Sequence, residues 1–232
     1  MRRVAGLPPL GTLRNVAVLS REEFDAIEFD AAASGDHQAA ARRMSKLAVT
    51  GTQTESMPRS EAFLRAGEQW LLADDPAAAA SGFRLAMADG GPVFTDPRVP
   101  LARALFMLGK SAEAQSLLDN LKAEGRRDPR TCDLVAELLV ERSDLEGALD
   151  WATAGVELCL QRMPGGVPAQ REPRPDENDG PRGNDGPHDN GAVQAAMSRD
   201  AEAELRLLLS LRYRIRNDLG LPEDPYDGLL DT

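Results

Sequence analysis

Residues 63–90 read FLRAGEQWLLADDPAAAASGFRLAMADG, and this stretch carries the start and stop signals of two helices joined by a tight turn. Asp75 is a typical N-cap, and Pro76 fits the first helical turn because a proline has no N–H to leave unpaired there. Gly90 provides the stop, since glycine adopts the left-handed backbone that ends many helices. Small residues such as Gly67 lie inside the apolar pattern and let two helices approach closely. The stretch therefore predicts a helical hairpin.

The same signals recur along residues 20–162, where the alternating β-branched and aromatic runs typical of strands do not occur. Ser143 with Glu146 forms a capping-box pattern, and Ser111 is predicted to cap another helix. Eight helices are predicted, at about 21–33, 36–47, 60–73, 75–90, 97–108, 111–125, 128–142 and 143–161. One alanine recurs in the second helix of each hairpin at separations of 39, 35 and 34 residues, as Ala40, Ala79, Ala114 and Ala148.

This pattern resembles the tetratricopeptide repeat family, whose unit is a helix–turn–helix of about 34 residues. The structural positions of the family are matched by Phe63, Ala66, Gly67, Trp70, Ala79, Phe83 and Ala86. The hairpin at 21–48 departs from the family, because Glu28 stands where a small residue is expected and the spacing to the next hairpin is longer. The resemblance implies an all-α fold, a solenoid of about four helical hairpins over residues 20–162.

The remaining segments differ in composition from the repeats. Residues 1–19 are predicted to be a flexible N-terminal segment, and residues 163–191, rich in Pro, Gly and Asp, a disordered loop that lacks core-forming side chains. Residues 192–220 carry an apolar stripe and are predicted to form a C-terminal capping helix, since solenoids need covered ends. Residues 221–232 form an acidic tail.

Composition excludes several classes of protein. The 232 residues carry a formal net charge of −11, which disfavours the phosphate backbone of nucleic acid as the main partner. No apolar run is long enough for a membrane span, and the N-terminal residues lack the apolar core of a signal peptide. We therefore expect a cytoplasmic protein whose two cysteines, Cys132 and Cys159, are buried free thiols.

Motifs that carry chemistry are missing from the sequence. It contains no phosphate-binding loop, no GxGxxG, no nucleophile elbow and no HExxH. The segment DENDGPRGNDGPHD at 176–189 superficially resembles a calcium loop, but Gly180 occupies a position that needs a ligand. The sequence predicts no catalytic residue, no metal site and no cofactor.

A partner-binding groove is implied by the family resemblance alone. In tetratricopeptide arrays the first helices line a concave groove that holds a peptide. The candidate groove positions carried over are Glu61, Leu64, Glu68, Leu71, Val99, Arg103, Phe106, Asp133, Glu137 and Val140. The basic carboxylate clamp of some family members is missing, because Arg103 is the only basic residue in this set. Carboxylates beside Leu, Val and Phe suit a partner with basic and apolar side chains.

Two alternatives remain open at this point. The last predicted helix carries Arg206, Arg212, Arg214 and Arg216, which would serve a regulatory nucleic-acid-associated protein. An enzyme with an unrecognised site is the other alternative. The sequence does not identify the partner or the oligomeric state.

Overall fold

The computed structural model describes residues 18–125, 128–163 and 190–231, with the side chains of 200–230 in the last range. Within these residues the chain is all-helical and has no strand, apart from one isolated bridge between Val18 and Thr52. The helices are α1 (Arg21–Ser34), α2 (His37–Thr50), α3 (Arg59–Leu72), α4 (Pro76–Asp89), α5 (Arg98–Met107), α6 (Ser111–Ala123), α7 (Pro129–Glu141), α8 (Leu145–Arg162) and α9 (Asn190–Asp218). A short 3-10 helix spans Asp227–Asp231. Of the segments predicted to be flexible (1–19) and disordered (163–191), residues 1–17 and 164–189 lie outside the described residues. Leu19, at the end of the first segment, is fully buried.

A left-handed residue followed by an N-cap position lies in four of the connections between helices, those that join α1 to α2, α3 to α4, α5 to α6 and α7 to α8. The left-handed residues are Gly35 (φ 77°), Asp74 (φ 57°), Gly109 (φ 72°) and Ser143 (φ 62°). Their separations of 39, 35 and 34 residues equal those of the alanines in the sequence pattern. Adjacent-helix packing and this recurring turn are what a helical repeat produces.

The residue after each left-handed position is the N-cap of the helix that follows. Asp36, Asp75 and Asp144 each accept a hydrogen bond from the backbone N–H three residues later, at 3.0, 2.9 and 3.0 Å. Such caps satisfy N–H groups that have no partner inside the helix. At the turn between α5 and α6, Lys110 holds the N-cap position and makes no side-chain cap.

Two predicted caps are displaced by one residue. Ser143 takes the left-handed turn position, so Asp144 rather than Ser143 is the N-cap of α8. Ser111 is the first residue of α6 and not its cap. In both cases the turn requires one left-handed residue first, which moves the helix start along the chain. The last helix starts at Asn190, a little before the predicted residue 192.

The described residues up to Leu108 form one compact unit, unit 1, in which consecutive helices from α1 to α5 pack on one another. Phe24, Met44 and Phe83 are among its fully buried side chains. Gly67 on α3 lies against the Phe83 ring on α4, and a Cβ at this position would come within 2.5 Å of a ring carbon. The sequence prediction that Gly67 permits close helix approach is therefore confirmed.

The described residues from Gly109 onward form a second compact unit, unit 2. Here α7 packs on α8, and α9 covers both of them. Leu208 and Ile215 on α9 are fully buried, and Leu208 lies against Gly155 of α8. Cys132 and Cys159 are buried and form no disulfide, as predicted, and burial raises the pKa of the Cys159 thiol to about 11.

Candidate functional site

Helix α3 presents four of the predicted groove residues at helical spacing. Glu61 and Leu64 are buried, whereas Glu68 and Leu71 are half-buried. The Glu61 carboxylate accepts a hydrogen bond from the backbone N–H of Phe94 at 2.9 Å. The N-terminal part of this face is therefore used inside unit 1, and the Glu68–Leu71 part remains partly open to solvent.

Arg65, a residue that the sequence reasoning missed, organises the charges beside this face. Its guanidinium donates from Nε to the Glu28 carboxylate at 2.8 Å and from Nη2 to Glu28 and Asp25 at 2.6 Å each. It also lies 5.6 Å from the centre of the Phe24 ring, a cation–π contact. Burial by itself would lower the pKa of Arg65, but the hydrogen bonds to Glu28 and Asp25 raise it above its ordinary value. Arg65 thus ties α3 to α1.

Glu68 lies in a locally acidic environment. Burial raises the pKa of its carboxyl from 4.5 to about 7, and the carboxylates of Glu61 and Glu28 act in the same direction. The Arg65 charge opposes this shift without cancelling it. A half-buried carboxyl with this pKa is a site where an incoming cation would be favourable, because it would stabilise the ionised form.

Helix α5 carries the next three candidates. Val99 is buried, whereas Arg103 and Phe106 are half-buried. Val99 therefore contributes to the core and offers no surface to a partner. Phe106 remains the aromatic candidate of this helix.

Helix α7 of unit 2 repeats the acidic character of α3. Asp133 and Val140 are half-buried, and Glu137 is exposed. Burial raises the pKa of Asp133, as do the carboxylates of Glu137 and Glu204, while Arg130 lowers it. In each unit, therefore, the predicted face carries a carboxyl whose ionised form is disfavoured by burial and by neighbouring acids.

The arginines of α9 divide into two pairs. Arg212, 4% exposed, and Arg216 are paired with Asp224 and Asp227 of the tail. The Arg212 guanidinium also lies 4.8 Å from the centre of the Tyr226 ring. Its hydrogen bond to Asp224 lowers the pKa of that carboxyl. Arg212 and Arg216 lie one helical turn apart, the spacing that a nucleic-acid interface on this helix would use. Their guanidiniums are already engaged in these ion pairs.

Arg206 and Arg214 lie on the exposed side of α9.

Two concave surfaces lie in unit 2. A cleft of about 460 Å³ lies between α8 and the end of α9, and a smaller hollow of about 130 Å³ lies among α6, α7 and α8. Neither is lined by a histidine or a cysteine. Among the side chains that the structure describes, no group of three His, Cys, Asp or Glu is arranged to hold a metal ion.

His37, at the start of α2, is half-buried and its Nδ1 lies 3.0 Å from the Gln69 side-chain oxygen. His188 and the segment 176–189, in which a calcium loop was rejected, lie outside the described residues. No helix in the described parts of the chain is both long and apolar enough to cross a membrane. Comparison of the chain with protein-family models, with curated proteins and with solved structures gave no match.

Proposed function

We propose that this chain is a non-catalytic helical-repeat scaffold of the tetratricopeptide kind. It binds a partner protein or peptide by contacting basic and apolar side chains of that partner. The observation that carries the proposal is the half-buried carboxyl of Glu68, which lies beside Leu71 and among other acids. Asp133 and Glu137 repeat the arrangement on α7. A lysine or arginine of a partner would supply the missing positive charge, and apolar neighbours would contact its aliphatic stem.

The proposal predicts that binding and protonation are linked. A cation beside Glu68 lowers the pKa of its carboxyl, so binding a basic peptide releases a proton when the pH is near 7. Affinity should therefore rise as the pH increases through about 7. The variant Glu68→Gln should bind more weakly than the wild type above that pH, and its affinity should change little with pH.

The test begins with selection of peptides from a random displayed library on the immobilised full-length chain. Peptides that carry Lys or Arg next to apolar residues should be enriched. Affinity of a selected peptide is then measured by fluorescence anisotropy for the wild type and for Glu68→Lys, which should weaken binding by about tenfold or more. Glu55→Lys is the matched control, because Glu55 is exposed and lies in the loop between α2 and α3.

Phe106→Ala tests the apolar half of the proposal and should also weaken binding, while thermal melts show whether each variant is folded. Enrichment of acidic peptides, or equal losses for Glu55→Lys and Glu68→Lys, would contradict the proposed surface. The alternative interface on α9 is not favoured, because Arg212 and Arg216 already pair with the tail.

A further inference from the structure

One exposed face of α1 combines an aromatic ring with acidic side chains. Phe29 is 75% exposed, the highest value among the large apolar side chains of the described chain. Glu22, about two turns before Phe29, and Asp30, the residue after it, are also exposed, and Ala26 and Ala33 lie one turn before and one turn after the ring on the same side. The ring of Phe29 is costly to leave in water, and the small alanines leave room for another helix to approach.

Helix α9 carries an exposed face of the opposite charge. Leu207 is 63% exposed. Arg206 and Arg214 are exposed on the same part of the helix, and Ala203 and Ser210 provide small side chains about one turn before and one turn after Leu207. This face therefore combines an apolar centre, two positive charges and room for close approach.

The two faces match residue by residue when the helices run antiparallel. The separation from Glu22 to Asp30 is eight residues, and so is that from Arg206 to Arg214. In this register the facing pairs are Glu22 with Arg214, Ala26 with Ser210, Phe29 with Leu207, Asp30 with Arg206, and Ala33 with Ala203. Opposite charges meet at two positions, large apolar groups meet at one, and small residues meet at the other two.

We propose that copies of this chain associate head to tail, with α1 of one copy packed antiparallel on α9 of the next. The occupant of each face is a second copy, because the complement of each face in charge and size is present on the same polypeptide. The contact is heterologous, so a dimer still exposes one α1 face and one α9 face and can bind further copies. One helix pair buries less area than a standard interface, so we expect a dissociation constant of roughly 10–100 μM.

Sedimentation velocity of the full-length chain at low salt tests this proposal. The average sedimentation coefficient should rise between about 5 and about 300 μM protein and fall when salt is added. Phe29→Glu and Leu207→Glu should each remain monomeric. An equimolar mixture of these two variants should form a dimer and stop there, because one retains the α9 face and the other retains the α1 face.

Val49→Glu is the matched control, since Val49 on α2 is also 63% exposed and lies outside both faces. It should associate like the wild type. A second pair of variants guards against misfolding: Asp30→Arg and Arg206→Asp should each weaken association by about tenfold, and their combination in one chain should restore it.

A wild-type chain that stays monomeric over the whole concentration range would overturn the proposal. This holds whether the two faces bind nothing or bind each other within one chain. So would a mixture of Phe29→Glu and Leu207→Glu that stays monomeric. Continued association of Leu207→Glu alone would instead show a symmetric contact through α1 and would equally refute head-to-tail assembly.

Discussion

Units 1 and 2 each bury an arginine among carboxylates, but the balance of charge around the two arginines differs. In unit 2, Arg212 and Arg216 face Asp224 and Asp227, so positive and negative charges match. In unit 1, Arg65 is engaged by Asp25 and Glu28. The charge of Arg65 lowers the pKa of Glu68, but burial and the neighbouring acids outweigh this effect.

The pKa values of the carboxyls around the two arginines reflect this difference in charge balance. The pKa of Asp224 is lowered because Arg212 donates a hydrogen bond to it. The pKa of Glu68 is raised to about 7 because burial and the neighbouring acids outweigh the effect of Arg65. A balanced cluster stabilises the folded chain, whereas an acid-rich one leaves unfavourable free energy that a cationic partner can remove.

The largest difference between the clusters should appear when each buried arginine is replaced by methionine. Arg65→Met should lower the free energy of unfolding of unit 1 by about 2–3 kcal/mol, because Asp25 and Glu28 then lose the cation that both of them bind. Arg212→Met should cost unit 2 about 1–2 kcal/mol, because Arg216 still pairs with the tail carboxylates.

Urea unfolding followed by tryptophan fluorescence measures both losses. The chain has two tryptophans, Trp70 in unit 1 and Trp151 in unit 2. A Trp151→Phe background therefore reports on unit 1, and a Trp70→Phe background reports on unit 2. Equal losses for the two arginines would mean that charge balance does not distinguish the clusters.

A smaller effect should separate Glu68→Gln from the wild type as the pH changes. The folded pKa of about 7 lies above the ordinary value of 4.5, so the folded chain holds a proton that the unfolded chain has released between these values. The free energy of unfolding contributed by Glu68 is therefore greatest below pH 4.5 and declines as the pH rises to about 7. In the variant Glu68→Gln this decline in the free energy of unfolding should be missing, because glutamine does not titrate.

At about pH 8, Glu68→Gln should be more stable than the wild type by about 1–2 kcal/mol, a value reduced for the partial exposure of the side chain. The two chains should converge near pH 4.5, the ordinary value for this group. Denaturant titrations at several pH values measure this, with Glu55→Gln in the exposed loop as the control. A stability difference that does not vary with pH would show that the carboxyl is not titrating in this range.

The smallest expected effect concerns the hairpin turns. Asp36 and Asp75 cap both second helices of the hairpins in unit 1, whereas Lys110 stands at the same position before α6 in unit 2. Lys110→Asp should raise the free energy of unfolding of unit 2 by about 0.5–1 kcal/mol, since the aspartate accepts a hydrogen bond from a backbone N–H of the first turn. Lys110→Ala removes the positive charge without adding an acceptor, so it should not stabilise the unit in thermal melts.

The helices of both units could be predicted from sequence because their boundaries depend on local chemistry. Asp75 with Pro76 and Asp128 with Pro129 begin α4 and α7 as expected. The cap of α8 was misplaced by one residue, because the sequence did not reveal that Ser143 would adopt a left-handed backbone.

The charges beside α3 could not be predicted in the same way. Arg65 lies within an apolar run of α3, which was a usable signal that a buried cation needed a partner. Its partners, Glu28 and Asp25, lie 37 and 40 residues earlier, and only the packing of α1 near α3 brings them together. Burial of Leu64 and Val99 likewise depends on neighbouring helices, which the family resemblance did not specify.

The reach of Arg65 back to α1 has a kinetic consequence. Contacts between consecutive helices in unit 1 close short stretches of chain and form early, as in other proteins dominated by local contacts. The ion pairs of Arg65 span a longer stretch, so we expect them to form after the hairpins have assembled and to contribute little to the folding transition state. Arg65 should then act mainly on the rate at which unit 1 unfolds, and so on how long the folded unit persists rather than on how fast it forms.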